Sequence, residues 1–153
     1  MPSRICIRAG AGRPAVADKP FYLLDTHAWF WLVRGPEGRL SAAAAARLEQ
    51  AAPLGVSVIS IWEIAMLESK RRIGLGLPVR DWVRSALVRP GFELFGLDPE
   101  TAVESCNLPG RFHADPADRF LVATARLKNA VIATRDKRIL RYARQGHVKV
   151  MAV

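Results

Sequence analysis

The sequence has few residues of the kinds that cross-link small folds or bind zinc. There are two cysteines, Cys6 and Cys106, and three histidines in 153 residues. Two cysteines so far apart are too few for a disulfide framework or a thiolate zinc site, so we expect free thiols in a reducing, cytoplasmic setting. No apolar run approaches the length of a membrane-spanning helix, and residues 1–19 lack the continuous apolar segment of a secretory signal.

Acidic residues are scarce relative to basic ones. Fourteen Asp and Glu stand against 23 Lys and Arg, a formal net charge of +9. This excess favours a polyanionic partner, most simply nucleic acid, although a membrane surface or an acidic protein would also fit it. Residues 1–20 carry part of the excess, and we predict that they form a disordered tail or reflect a mis-set start. Half of the residues are apolar, so we expect one domain over residues 21–153.

Short apolar segments alternate with helical patterns through residues 21–153. The predicted strands are residues 21–24, 56–59, 92–97, 131–134 and 147–152. The predicted helices are residues 28–33, 42–52, 60–72, 79–88, 98–106, 116–125 and 135–144. Ser60 and Glu63 match a capping box at the start of the third helix. This alternation predicts a parallel sheet with helices on both faces.

Most of the predicted strand-to-helix junctions carry an acidic residue. Asp25 follows the first strand, Glu63 lies in the first helical turn after the second, and Asp136 follows the fourth. Asp115 and Asp118 open the helix that leads into the fourth strand. Because the carboxyl ends of parallel strands lie along one edge of a sheet, these acids are candidates for a common site. An acid at a helix start also stabilises the helix, and capping explains each acid separately.

Capping does not remove the repulsion between acids that converge. Two carboxylates about 5 Å apart repel by roughly 3 kcal/mol at an effective dielectric constant near 20. Several in one pocket need protons, basic neighbours or divalent cations to remain ionised. Clusters of oxygen ligands without cysteine suit Mg²⁺ or Mn²⁺. On a basic protein, such a site favours hydrolysis of a phosphodiester.

Four segments carry a family resemblance in their order and spacing. They are LLDTHA at residues 23–28, SVISIWEIA at 57–65, HADPADR at 113–119 and TRD at 134–136. Together they resemble the PIN domain, and in particular the VapC-type toxin ribonucleases of toxin–antitoxin pairs. The resemblance implies an α/β three-layer sandwich, with a central parallel sheet of about five strands in the order 3-2-1-4-5 flanked by helices. Strands two, one and four would then be neighbours.

The resemblance also implies roles for the acids. Asp25, Glu63, Asp118 and Asp136 match the catalytic, metal-binding positions of the family, and Asp115 matches an additional acid that is a ligand, a cap or an outer partner. The implied protein is an endoribonuclease that depends on Mg²⁺ or Mn²⁺ and is inhibited by a cognate antitoxin. It would be a cytoplasmic homodimer with no membrane partner, and an antitoxin segment would lie across the active-site groove.

Several neighbouring residues have a functional and a structural interpretation. Thr26 and Thr134 could hydrogen-bond ligands or a phosphate, or simply cap helices. Arg119 could offset carboxylate charge or hold a phosphate, or form an ion pair with no catalytic role. Asp98 opens a helix after the third strand, but that strand lies at the sheet edge, so we predict a cap only. His27 and His113 are predicted to orient or pack, since their spacing is not that of a His-metal site.

Two basic clusters are candidate contacts for the RNA backbone, or else solvated helix faces. They are Lys70, Arg71 and Arg72 in the first, and Arg135, Lys137, Arg138, Arg141 and Arg144 in the second. The four tryptophans, Trp29, Trp31, Trp62 and Trp82, favour the core or a partner surface over platforms for base stacking.

Two other functions fit parts of the pattern. A non-catalytic RNA-binding or complex-forming subunit could keep the fold, although the full set of four acids argues against it. Phosphotransfer through a phosphorylated Asp25 would fit an α/β sheet. Phosphatases of that kind need a second acid two residues later, where this chain has His27.

Overall fold

The computed structural model describes residues 20–153, so the predicted tail lies outside the described residues except for Pro20, and Cys6 lies outside them too. The strands are β1 (Tyr22–Leu24), β2 (Leu54–Ser57), β3 (Phe92–Phe95), β4 (Val131–Thr134) and β5 (Lys149–Ala152). The helices are α1 (Thr26–Arg34), α2 (Ala42–Gln50), α3 (Val58–Ser69), α4 (Val79–Val88), α5 (Pro99–Cys106), α6 (Pro116–Leu127) and α7 (Lys137–Ala143), with a 3₁₀ turn at Gly35–Glu37. No helix in this range is both long enough and apolar enough to cross a membrane.

The five strands form one parallel sheet in the order β3-β2-β1-β4-β5, as predicted. The register aligns the carboxyl ends of the three central strands, because Leu24 of β1 lies opposite both Val56 of β2 and Ala133 of β4. The chain leaves β1 still attached to β4, since the backbone N–H of Asp25 donates to the carbonyl of Ala133 at 3.1 Å. The residues that follow these three strands therefore emerge side by side.

Side chains alternate across the sheet and bury two apolar layers. In β1, Tyr22 and Leu24 face a core cluster that also holds Trp29 of α1 and Trp82 of α4. Leu23 faces the opposite cluster with residues of α6 and α7, while α5 packs against α6. This alternation is the period of two that a strand imposes on its side chains. The predicted three-layer α/β sandwich is confirmed.

The start of α3 corrects the sequence-based prediction. Residues 56–59 were expected as strand, with Ser60 as the N-cap of a capping box, but β2 ends at Ser57 and α3 begins at Val58. Ser57 is the N-cap, and its hydroxyl accepts the backbone N–H of Ile59 at 3.2 Å. The predicted capping box is wrong, because Ser60 lies within the helix and is buried. Glu63 consequently lies in the second turn of α3.

Other element ends move by one to three residues. The helix predicted to reach Arg72 ends at Ser69, because the chain turns at Lys70 and Arg71, where Arg71 has a φ of 55°. The last helix begins at Lys137 instead of residue 135, because Asp136 is its N-cap. Of the four tryptophans, Trp29 and Trp82 lie in the core, whereas 53% of Trp62 is exposed.

Candidate active site

The five predicted acids line one pocket at the carboxyl edge of the sheet. Its lining combines these acids with polar and basic neighbours and an apolar wall. The lining residues are Asp25, Thr26, His27, Ile59, Ser60, Glu63, Asp115, Ala117, Asp118, Leu121, Asp136 and Arg138. The sheet order explains this convergence, because β2, β1 and β4 are adjacent and α6 leads into β4.

Three of the acids cap helices and also line the pocket, so the predicted caps and the predicted common location are both present. The side chain of Asp25 accepts the backbone N–H of His27 at the start of α1, at 2.7 Å. Asp115 accepts the N–H of Ala117 at the start of α6, at 3.0 Å. Asp136 caps α7. Each cap holds one oxygen of its carboxylate in place and leaves the residue on the pocket wall.

Asp25 is the most deeply placed of these acids, with 6% of the residue exposed. Its Oδ2 accepts a 2.5 Å hydrogen bond from the hydroxyl of Thr134, which is fully buried and in turn accepts the N–H of Asp136 at 2.9 Å. Burial raises the pKa of Asp25, while the hydrogen bonds from Thr134 and from the His27 N–H oppose the rise. Thr134 therefore fixes the Asp25 carboxylate and connects it to the loop that carries Asp136.

Thr26 holds the carboxylate of Glu63 in the way that Thr134 holds that of Asp25. Its hydroxyl donates to Oε2 of Glu63 at 2.6 Å, which joins the start of α1 to the second turn of α3. The alternative that Thr26 and Thr134 cap helices does not hold, because Asp25 and Asp136 are the N-caps at those two starts. Each threonine instead orients one carboxylate of the pocket.

Asp118 lies in the first turn of α6, and no threonine hydroxyl donates to its carboxylate. Its Oδ2 is buried and has no hydrogen-bond partner, although His113 Nε2 lies 3.1 Å away and Arg138 Nη2 3.3 Å away. Burial and the charges of Asp115 and Asp136 raise the pKa of Asp118 to about 7. A buried carboxylate oxygen that accepts no hydrogen bond and lies among other carboxylates is an arrangement that a cation would stabilise.

Arg138 forms ion pairs with two of the pocket acids. Its Nη2 lies 3.3 Å from Oδ2 of Asp118 and 3.4 Å from Oδ2 of Asp136. Burial alone would raise the pKa of Asp136, but the backbone N–H groups of Arg138 and Ile139 and the Arg138 side chain lower it. The sequence had suggested Arg138 as an RNA contact, and the structure places its guanidinium between two pocket acids.

Arg119 turns away from the carboxylates. Its guanidinium donates to the carbonyls of Ser105 at 2.7 Å and His113 at 3.2 Å, with longer bonds to those of Cys106 and Phe112. Within residues 20–153 it takes part in no ion pair with an acid. The expected ion pair of Arg119 is therefore wrong, its guanidinium contacts no pocket carboxylate, and the suggested phosphate contact stays a prediction. Arg119 instead fastens the loop before α6 to the end of α5.

The two histidines that the sequence analysis singled out, His27 and His113, both lie near the pocket acids. His27 lines the pocket, and His113 packs on Phe112 with ring centroids 4.2 Å apart. Burial lowers the pKa of His113, with Arg138 acting in the same direction.

The first basic cluster, residues 70–72, is exposed after α3 and does not line the pocket. The exposed Lys137 does not line it either. Asp98 caps α5 through the N–H of Thr101 at 2.7 Å and is not part of the pocket, as predicted.

The donor set of the pocket fits a hard divalent cation. It offers carboxylate and hydroxyl oxygens, and the buried Oδ2 of Asp118 accepts no hydrogen bond. In the part of the chain that the structure describes, no three acidic, cysteine or histidine side chains are already gathered closely enough to cage an ion. Thr26, Thr134 and Arg138 instead hold Glu63, Asp25 and Asp136. Mg²⁺ is commonly bound through one or two carboxylates together with water molecules, so it does not require a cage of three protein ligands.

Sequence reasoning missed two features of the site. Ser60 was interpreted as a helix cap, yet it is buried in α3 and lines the pocket. The contacts of Arg138 with Asp118 were also missed, because they join residues on α6 and α7. The sequence contained one signal for the contact between Arg138 and Asp136. Arg138 follows Asp136 by two residues, at the start of a helix that Asp136 caps.

Fold and site together define a three-layer α/β protein with an acidic, oxygen-lined pocket at the carboxyl edge of its sheet. Residues 22–145 match the PIN domain family. Ribonuclease VapC22 of Mycobacterium tuberculosis is 37% identical over 117 residues, which are 76% of this chain and 88% of that protein. The chain belongs to the PIN-domain family and, within it, to the VapC-type ribonucleases.

Solved structures share the fold. A DNA-bound VapBC from Salmonella typhimurium aligns over 87% of this chain and 98% of its own, with a TM-score of 0.63 and 15% identity. VapBC2 from Rickettsia felis, bound to a promoter DNA fragment, gives the same TM-score and identity over 86% and 98%. FitAcB from Neisseria gonorrhoeae aligns over 86% and 96%, with a TM-score of 0.57 and 18% identity.

Proposed function

We propose that this protein is a divalent-metal-dependent endoribonuclease and the toxin of a toxin–antitoxin pair. The observation that carries the proposal is the convergence of Asp25, Glu63, Asp118 and Asp136 on one pocket of a chain with a net charge of +9. Its relative over most of the chain is named a ribonuclease. A phosphodiester brings more negative charge to this pocket, so catalysis there needs positive charge to offset it.

The four acids, with Asp115 beside them, are the residues that would hold Mg²⁺ or Mn²⁺. When bound, the cation supplies an activated water and neutralises charge that develops on the phosphate. Thr134 and Thr26 hold the carboxylates of Asp25 and Glu63 in fixed orientations. Because these carboxylates are already oriented, they need to move little when the substrate binds. This is the physical basis of preorganised catalysis.

The proposal includes a protein partner. Solved relatives in fold are VapBC assemblies and a toxin–antitoxin complex from Klebsiella pneumoniae, which supports a cognate antitoxin here. Helix α3 supports a protein contact as well: it is mostly apolar, few of its residues are buried, and 53% of Trp62 is exposed. We extend the proposal to a homodimer in the cytoplasm, with RNA as the substrate.

The experiment is cleavage of structured RNA by antitoxin-free protein, with Mg²⁺ or Mn²⁺ against EDTA. Glu63→Gln keeps the size of the side chain and removes its charge, so we expect at least about a hundredfold loss of rate, as for other residues that stabilise a charged transition state. Glu68→Gln, in the same helix but outside the pocket, is the matched control and should cut like the wild type.

Each outcome has a defined meaning. Metal-dependent cleavage that is lost in Glu63→Gln and retained in Glu68→Gln supports the nuclease. Equal cleavage by all three proteins indicates a contaminating ribonuclease and removes the support. Tight RNA binding without cleavage at any metal concentration would favour a non-catalytic RNA-binding subunit instead.

A further inference from the structure

Three side chains contact one another beside the acidic pocket, and one of them, His27, lines it. His27 and Trp31 lie one turn apart on α1, with ring centroids separated by 5.6 Å and ring planes tilted by 47° to each other. The guanidinium of Arg135, from the loop after β4, lies over the Trp31 ring at 5.3 Å from its centroid. We call these residues the His27–Trp31–Arg135 stack.

The stack is open to a ligand on its outer residues. The His27 side chain is 55% exposed, and Arg135 is exposed as well, whereas Trp31 is half-buried against the core. Arg135 makes one side-chain hydrogen bond, to the carbonyl of Arg39 at 3.4 Å. Among the ion pairs of residues 20–153 none includes Arg135, so no carboxylate of this part of the chain neutralises its charge.

Two residues of the stack lie close in sequence to the proposed catalytic acids. His27 follows Asp25 by two residues, lines the same pocket and donates its backbone N–H to that carboxylate. Arg135 stands between Thr134 and Asp136 in the loop after β4. A group held by these two side chains would therefore lie next to whatever occupies the acidic pocket.

The geometry points to a nucleotide-binding platform: the His27 imidazole and the Arg135 guanidinium, both backed by Trp31, hold the base and phosphate of a nucleotide beside the scissile phosphate. This inference rests on the proposed ribonuclease function. Single-stranded RNA is recognised by stacking its bases on aromatic rings and on arginine planes. Arg135 adds a charge for the phosphate, and its contact with Trp31 holds the guanidinium in place before the RNA binds.

A purely structural stack would join α1 to the loop after β4 and would be indifferent to RNA bases. The test therefore compares two ligands: a short single-stranded RNA of mixed sequence and the same strand with every base replaced by abasic ribose. Binding is measured with full-length protein in EDTA by fluorescence anisotropy at several salt concentrations. Because no metal is present, the assay does not depend on cleavage.

We expect His27→Ala to weaken binding of the RNA about tenfold, which corresponds to the loss of one stacked base, and to leave the abasic strand unchanged. His27→Phe should restore the affinity, because it keeps an aromatic face. Arg135→Gln should weaken binding of both ligands and lower the salt slope by about one. Arg47→Gln, an exposed arginine of α2 outside both the pocket and the stack, is the charge-matched control and should change neither affinity appreciably.

The platform is overturned if His27→Ala binds RNA like the wild type, or if it loses affinity for both ligands equally. Unchanged RNA binding together with a weaker complex with the antitoxin would assign the stack to a protein interface and would also overturn it. Metal-dependent cleavage by the wild type with unchanged RNA binding by His27→Ala rejects the platform alone. Loss of the proposed nuclease would appear separately, in the Glu63→Gln comparison.

Discussion

At the residue scale, the pocket acids differ in what holds them. Asp25, Asp115 and Asp136 accept backbone N–H groups at helix starts, and Glu63 accepts the Thr26 hydroxyl. Asp118 has no hydrogen bond at its buried Oδ2, and its pKa is raised to about 7. The same pocket therefore contains carboxylates fixed by the fold and one whose charge the fold leaves poorly compensated.

Arg138 supplies part of the missing compensation, since its guanidinium lies within 3.4 Å of both Asp118 and Asp136. A divalent cation that uses these two carboxylates must compete with that positive charge. We predict that Arg138→Gln strengthens Mn²⁺ binding about three- to tenfold, as expected for removing a like charge at about 5 Å in a solvent-accessible site. Electron paramagnetic resonance of free Mn²⁺ measures the affinity.

Arg141→Gln is the control for this change. Arg141 is an exposed residue of the same helix and takes part in none of the ion pairs in residues 20–153. If both variants strengthen Mn²⁺ binding equally, the effect is one of net charge, and the specific role of Arg138 is wrong.

At the scale of elements, three of the pocket acids lie at the starts of helices. The roles of two N-cap residues in stability and in activity can be compared directly. Asp98 and Asp115 each cap a helix whose first residue is proline, but Asp115 alone lines the pocket. Replacing either by alanine should lower the free energy of unfolding by about 1 kcal/mol, the usual cost of losing an N-cap. Only Asp115→Ala should also slow RNA cleavage.

Chemical denaturation and single-turnover cleavage on the same preparations test this pair. Equal activity of the two variants would show that Asp115 is a helix cap without a role in the site. A loss of activity in Asp98→Ala as large as in Asp115→Ala would show that the effect is one of stability.

The elements also show what local sequence can and cannot predict. Strand β4 and helix α4 have the predicted bounds, because their apolar patterns end at clear breaks. The start of α3 does not, because Val58 and Ile59 favour strand by intrinsic propensity while Ser57 and Ser60 are both suitable caps. The structure uses Ser57, whose hydroxyl binds the Ile59 N–H. Which serine caps the helix depends on where β2 leaves the sheet.

At the scale of the whole molecule, the sheet order brings distant acids together. The alternation of strands and helices predicts a parallel sheet, and the family resemblance implies its order, so the convergence of Asp25, Glu63 and Asp136 was foreseeable. Their partners were foreseeable only in part, since the sequence suggested Thr26 and Thr134 as hydrogen-bond partners of ligands but not which acid each one binds. Thr26 binds Glu63 across 37 residues and Thr134 binds Asp25 across 109, and no local pattern signals such pairs. The bonds of Arg119 to backbone carbonyls belong to the same class.

Charge is divided unevenly between the molecule and its pocket. The chain carries a net +9, whereas the pocket gathers five carboxylates around one arginine. The positive field of the chain attracts a polyanion, and the carboxylates repel its phosphates at close range. We propose that a divalent cation resolves this opposition and is required for cleavage.

The most direct test of that claim measures Mn²⁺ binding and RNA cleavage on the same antitoxin-free sample, for the wild type and Asp25→Asn. We predict that cleavage by the wild type rises with occupancy of the Mn²⁺ site and is absent in EDTA, because the acids need the cation to receive a phosphate. Asp25→Asn should bind Mn²⁺ more weakly and should not cut RNA. Cleavage by the wild type that persists in EDTA, but is lost in Asp25→Asn, would show that the pocket acids act without a divalent cation.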